Sequence, residues 1–394
     1  MNSIKILHRP TFVLFVGFLF INYSFGFQKN DQIRKSYDEI LCNPSKSTTN
    51  SLAQIKQFAE SGNPNWFLRI GYFVDANNIM YKATKDSKYL KINADILGII
   101  DSQGEKLSVG KKWIAKIGQD DINKDVDNQE FMLYEGYLLR YAAELVYLVK
   151  KNGLISQISN YNTCLNFVEG NFKKWRSRSL DGGFKDESMF YGIRVHMGAQ
   201  WATTALFLSS ITESSADLSI YNSFLKSFDK EFRRGLRSRG IFESRRQYVW
   251  NATWRQAFSE QLRRRVQSLG FETEIQDVAH GNHIVQYVLS SYELGFKSWT
   301  LKDITRFANT LKYRIWTPST RSFADNVDGS TSVHKSIRGT GWRQSDGWMK
   351  LMVYDKDLYA IYKKFYYSNE NVQKSYLNLQ FLSNFMYFNS VNEG

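Results

Sequence analysis

Residues 66–82, WFLRIGYFVDANNIMYK, followed by residues 89–100, YLKINADILGII, decide the fold. Apolar side chains return every three or four positions in both segments, and a short polar turn with Asp86 and Ser87 separates them. Side chains three and four apart share one face of an α-helix, so the pattern predicts two amphipathic helices joined as a hairpin.

The same reading extends outward. After Pro10 the chain has proline only at Pro44, Pro64 and Pro318, which leaves residues 65–317 free of it and open to long helices. Segments 131–151 and 155–175, then 188–211 and 218–237, repeat the helical spacing, with Gly153, Gly182, Gly183 and Gly240 as breaks near their ends. Residues 278–294, 301–315, 347–366 and 372–388 follow, while strand-like alternation is scarce. No Pro-rich linker, low-complexity segment or fixed repeat divides the chain. We therefore expect residues 27–394 to form one all-α domain, an incomplete α/α toroid of roughly five to seven hairpins. A TPR or HEAT array is the competitor, but it requires a regular period that is missing here.

Residues 1–26 read as a secretory signal: Lys5 and Arg9 precede an apolar run over 11–21, and Ser24-Phe-Gly26 supplies small residues for cleavage. The mature protein is expected outside the cytoplasm, in the periplasm or beyond. No later segment stays uncharged for the roughly 18 residues a membrane helix needs, so no membrane span is expected. Cys42 and Cys164 are the only cysteines. Their separation matches no metal-ligand spacing, any bridge between them would be structural, and neither a metal site nor a cofactor is expected.

The formal charge is +14, of which Lys5 and Arg9 carry two. In an exported protein this suits a polyanionic partner, such as an acidic polysaccharide, an anionic lipid surface or extracellular DNA, although basicity also aids solubility. Nucleic acid ranks low, because no helix-turn-helix, zinc-finger or RNA-recognition signature is present. Nothing in the chain specifies an oligomeric state.

Four histidines lie beyond the leader, and two fall in Asp277-Val-Ala-His-Gly-Asn-His-Ile-Val-Gln-Tyr287. On a helix, His280, His283 and Tyr287 share a face, while Val278, Val285, Val288, Leu289 and Tyr292 offer apolar area for packing. Such a face suits proton transfer, and equally a solvated stripe. Upstream, Tyr191, Arg194, His196 and Gln200 form a second constellation on a helix that continues as 202–208. His196 and Gln200 are four apart, either a working pair or a core histidine with an amide partner. Arg194 precedes them as a guanidinium able to grip a carboxylate.

Residues 233–265 hold ten arginines, no lysine, and only Glu243 and Glu260 as acids. Guanidinium forks match carboxylates, and Trp250 and Trp254 offer stacking faces for sugar rings, so the segment is either a substrate-guiding wall or a solvated basic helix. Arg338, Trp342 and Arg343 sit in Gly-rich sequence and are candidate subsite residues, with His334 nearby.

A His-bearing helix followed, after a variable segment, by a helix with a basic position seven residues before a Tyr resembles the alginate lyases built on an α/α toroid. The resemblance covers chiefly residues 186–295. In that family an Asn-His pair and a later Arg and Tyr carry out β-elimination on uronic acid polymers. His196 corresponds to the family His and Tyr287 to the family Tyr, while Val195 stands at the Asn position and His280 at the Arg position. The resemblance therefore implies a lyase acting on alginate, glucuronan or a related uronate. Tyr287 would be the acid, and the base too if nearby cations lower its pKa, with His196 as alternative base. Asn282, Gln200, Arg194 and His280 would neutralise the carboxylate, and His283 would orient them. A glycoside hydrolase using two of Asp181, Asp186, Glu187 and Asp277, or a non-catalytic polysaccharide-binding protein, are the other expectations.

Overall fold

The computed structural model describes residues 30–43, 50–117, 127–181, 190, 192–254, 264, 267–268 and 274–392. The expected leader, Tyr191, Asp186, Glu187, Arg255, Arg263 and Arg265 lie outside the described residues. Among those described, 66% helix is accompanied only by short strands, so the fold class is all-α. None of these helices is long and apolar enough to cross a membrane.

The hairpin quoted above is present. Pro64 opens a short turn, α3 (Phe67–Thr84) ends at Lys85 with φ 59°, and α4 (Lys88–Gln103) returns. Residues 30–42 form α1, and α2 (Leu52–Glu60) starts where the Ser51 side chain accepts from Gln54 N, an N-cap that satisfies one orphan donor. There follow α5 (Met132–Lys151), α6 (Tyr161–Asp181), α7 (Val195–Ser209), α8 (Ser215–Gly235), α9 (Val278–Glu293) and α10 (Leu301–Thr310). The chain ends with a 3-10 turn (Trp348–Val353), α11 (Lys356–Tyr367) and α12 (Asn378–Asn392). Several expected helices begin or end elsewhere: α6 starts at Tyr161, α10 ends at Thr310 and α12 starts at Asn378. In the stretch expected as 188–211, the described residues 192–194 precede α7 because Arg194 pairs with Thr253, and 347–366 divides at Asp355, whose side chain caps α11 by accepting from Asp357 N.

Helix packing separates two kinds of helix. α3 packs on α5 and α12, α5 on α7, and α7 on α9; α9 and α12 both meet the 348–353 turn. These helices are buried almost all round: α7 buries 13 of its 15 residues, whereas α8, which packs on α7, buries 6 of 21. α3 therefore lacks the one-sided pattern that an amphipathic helix would show, and its buried polar residues are paired instead. Asn77 accepts from Tyr37 at 2.8 Å, and Asn93 donates to Asn78 at 3.0 Å and to Val74 O at 2.8 Å. Unpaired, each such group would cost about 1–3 kcal/mol.

Candidate functional site

The site forms where two helix N-termini are held side by side by backbone. Val195 N donates to Ala252 O, Ala252 N to Glu274 O, and Gln276 N to Trp250 O, so the segment at 250–253 ties the start of α7 to residues 274–276 just before α9. Val278 N then donates to Asp325 O at 2.7 Å, fixing the start of α9 against a second loop. Asp277 is the N-cap of α9: its Oδ1 accepts from His280 N at 2.9 Å. Aspartate is favoured there because it pairs with orphan N–H groups at the positive end of the helix dipole.

This arrangement gathers His196 of α7 with His280 and His283 of α9. The rings of His196 and His280 stack, with centroids 4.3 Å apart and planes 22° from parallel, and His283 lies 6.1 Å and 6.2 Å from them. Their surroundings differ. The Asp277 carboxylate lies 3.0 Å from Nδ1 of His280; burial opposes protonation of that ring, but the carboxylate overrides it and raises the pKa above the ordinary value. Asp277 is in turn held below the usual carboxylate range, since burial against it is outweighed by His280. His280 keeps 37% of its side chain accessible. His196 is 6% exposed and its buried Nδ1 has no hydrogen-bond partner among the described residues. Burial, then the charges of His280, His283, Arg194 and Arg140, push its pKa well below 6.5.

His283 rests on a buried ion pair. Arg140 Nη2 lies 3.0 Å from Asp346 Oδ2, and both side chains are fully inaccessible. Nδ1 of His283 is 2.6 Å from Asp346 Oδ2 and 2.7 Å from Arg140 Nη1, but one ring nitrogen serves one of them at a time. Asp346 is kept ionised by Arg140, so Nδ1–H donates to the carboxylate and Arg140 Nη1 donates to Gln286 Oε1. Tyr141 also donates to Asp346. Burial and Arg140 pull the His283 pKa down to about 4. Tyr137 of α5 packs edge-on against this ring at 5.5 Å.

Several expected residues are placed differently. Tyr287 is fully buried, its hydroxyl donates to Asp229 Oδ1 at 2.7 Å, and Phe228 packs on its ring. Burial and the Asp229 carboxylate raise its pKa well above 10, the reverse of the lowering expected, and it is not among the gathered histidines. Trp250 and Trp254 are core residues, 1% and 4% exposed, the first stacked on Trp348 and the second edge-on to Phe228, so neither offers a face to a sugar. Asn282 holds a loop: its Oδ1 accepts from Gly347 N at 2.6 Å and Trp348 N at 2.9 Å. Gln200 is fully buried against Gly136, and neither of its amide atoms has a hydrogen-bond partner among the described residues.

Arg194 is ion-paired to Glu274 Oε2, whose other oxygen lies 3.3 Å from His334. Of the arginine-rich segment, Arg233 pairs with Asp303, Arg234 with Glu231 and Arg246 with Glu243, so much of its charge is matched within the protein. Arg338 is exposed and donates to Ser332 O, whereas Arg343 is exposed with its guanidinium 5.7 Å from the Trp342 ring, and its charge reaches His280. Cys42 is exposed, Cys164 is buried, and both are free thiols, so no disulfide joins them. Sequence reasoning missed Arg140, Asp346 and Tyr137. A charged residue inside the apolar run Tyr137-Leu-Leu-Arg-Tyr-Ala-Ala143 was the available signal, because a buried charge requires a partner.

No family model matches the chain, and searches of curated proteins and of solved structures return no match.

Proposed function

We propose that the protein is an exported polysaccharide lyase, built on an α/α toroid, that cleaves a uronate-containing polymer by β-elimination. The packing order supports the toroid: α3, α5, α7, α9, the 348–353 turn and α12 lead back to α3, with α2, α4, α6, α8, α10 and α11 outside them. Export rests on the character of residues 1–26.

One observation carries the chemistry. His196 and His280 stack at 4.3 Å while their surroundings push their pKa values in opposite directions. Two groups split in this way furnish a base and an acid at the same pH. His196, kept neutral, takes the C5 proton of the uronate; the freed electron pair forms the C4–C5 double bond as the C4–O4 bond breaks. His280, kept protonated by Asp277, gives its proton to O4. Arg343 supplies positive charge for the carboxylate as the enolate develops. Carboxylate-based hydrolysis has less support: Asp277 is engaged by His280, Asp229 by Tyr287 and Trp299, and Glu274 by Arg194 and His334.

The test is incubation with polymannuronate, polyguluronate, glucuronan and hyaluronan while following ultraviolet absorbance of the unsaturated product. Absorbance should rise with at least one polymer. New reducing ends without absorbance would mean hydrolysis, and no change in either would remove the enzyme reading.

A further inference from the structure

A cleft of about 430 Å³ opens beside Trp342, between the ribbon Trp316–Thr317 with Ser322–Phe323, the loop at 338–347, and α11. Its chemistry differs from that of the histidine site. Trp342 and Phe323 give it aromatic surface above the buried Phe365, and Thr317, Thr331 and Asn369 give it neutral hydrogen-bonding groups. No lysine or arginine is among its described lining residues, and the one carboxylate there is Asp325, which already accepts from Gly339 N at 2.7 Å and from Ser332 N at 3.1 Å.

We propose that this cleft is a subsite for a neutral pyranose, so that the polymer cleaved at the histidines carries uncharged sugars among its uronates. A pyranose presents C–H groups on its ring faces, which pack on aromatic rings, and hydroxyls at its rim, which pair with hydroxyl and amide groups. A uronate placed here would meet no lysine or arginine among the described lining residues, and would face the like charge of Asp325. One peptide bond separates Trp342 of the cleft from Arg343, whose charge reaches His280. The Arg343 guanidinium that acts on His280 also lies 5.7 Å from the Trp342 ring, which makes Arg343 the link by which one polymer would engage both places. The assignment of uronate to the histidine end rests on the lyase reading; the neutral character of the cleft rests on its own lining.

The experiment compares two hexasaccharides by titration calorimetry, one of hyaluronan type alternating glucuronate with N-acetylglucosamine, the other all mannuronate. His280→Ala protein is used so that neither is consumed. The alternating sugar should bind at least roughly tenfold more tightly, Trp342→Ala in the same background should remove most of that preference, and Thr331→Arg should shift it towards the all-uronate sugar. Equal or tighter binding of the mannuronate sugar, or a preference that survives Trp342→Ala, overturns the proposal. Should wild-type protein form unsaturated product from no polymer, the lyase reading fails separately. Trp342-dependent binding of the alternating sugar would still support the cleft, and its absence would overturn it.

Discussion

His280 and Tyr287 stand two helical turns apart on α9 and are put to opposite uses by their neighbours. Asp277 holds a proton on an accessible imidazole, whereas Asp229, Trp299 and Phe228 enclose the phenol in the core. We expect His280→Ala to lower kcat/KM by about 10²- to 10⁴-fold, the usual worth of a general acid. Tyr287→Phe should leave kcat/KM within about threefold and instead cost roughly 1–3 kcal/mol in denaturant unfolding, because Asp229 loses a buried donor. The cluster of histidines was legible in the sequence, since His280 and His283 are three apart and His196 stood out on its own helix. The fate of Tyr287 was not, because helical spacing gives direction from the axis but says nothing of what packs opposite.

At the scale of the element, the N-terminus of α9 combines a cap with a charge. Asp277 accepts from His280 N and also faces His280 Nδ1, so one carboxylate starts the helix and sets the protonation of the ring. The raised His280 pKa gives stability that is fully present below about 6.5 and is lost as pH rises through the folded value. Activity that needs protonated His280 falls over the same rise. Asparagine caps as well as aspartate but carries no charge. Asp277→Asn should therefore leave helix content by circular dichroism unchanged while moving the alkaline limb of the kcat/KM profile to lower pH; an unmoved limb would separate His280 from catalysis. The loop at 341–348 is as tightly specified. A Cβ on Gly347 would lie 2.1 Å from Asn282 O, so only glycine lets the loop reach α9. Most helices were legible from apolar spacing. The boundaries at 195 and 356 were not, because backbone pairing at Arg194 and capping at Asp355 set them.

The whole molecule is joined across its inner helices by buried polar pairs as much as by apolar contact. Asp75 of α3 accepts from Lys350 of the 348–353 turn at 2.8 Å and from Gln380 of α12 at 2.7 Å, and burial raises its pKa to about 6 despite Lys350. Lys82 of α3 pairs with Glu144 of α5 at 3.0 Å. Removing one partner of such a pair strands the other, at roughly 3–5 kcal/mol. Asp75→Ala should accordingly lower the urea midpoint strongly, while Lys374→Ala, which breaks an exposed pair with Glu370, should leave that midpoint nearly unchanged. All-α architecture was legible from the proline-free span and the hairpin at 66–100. The identity of the fully buried helices was not, because the partners of Asp75, Asn77, Asn78 and Arg140 stand on segments distant in sequence.

The most direct test of the account is nuclear magnetic resonance titration of the imidazole Cε1 resonances in protein labelled at histidine. One resonance, absent in His280→Ala, should titrate above pH 6.5, and another, absent in His196→Ala, should remain neutral far below it. Two rings titrating together near 6.5 would contradict the division into acid and base on which the proposed elimination depends.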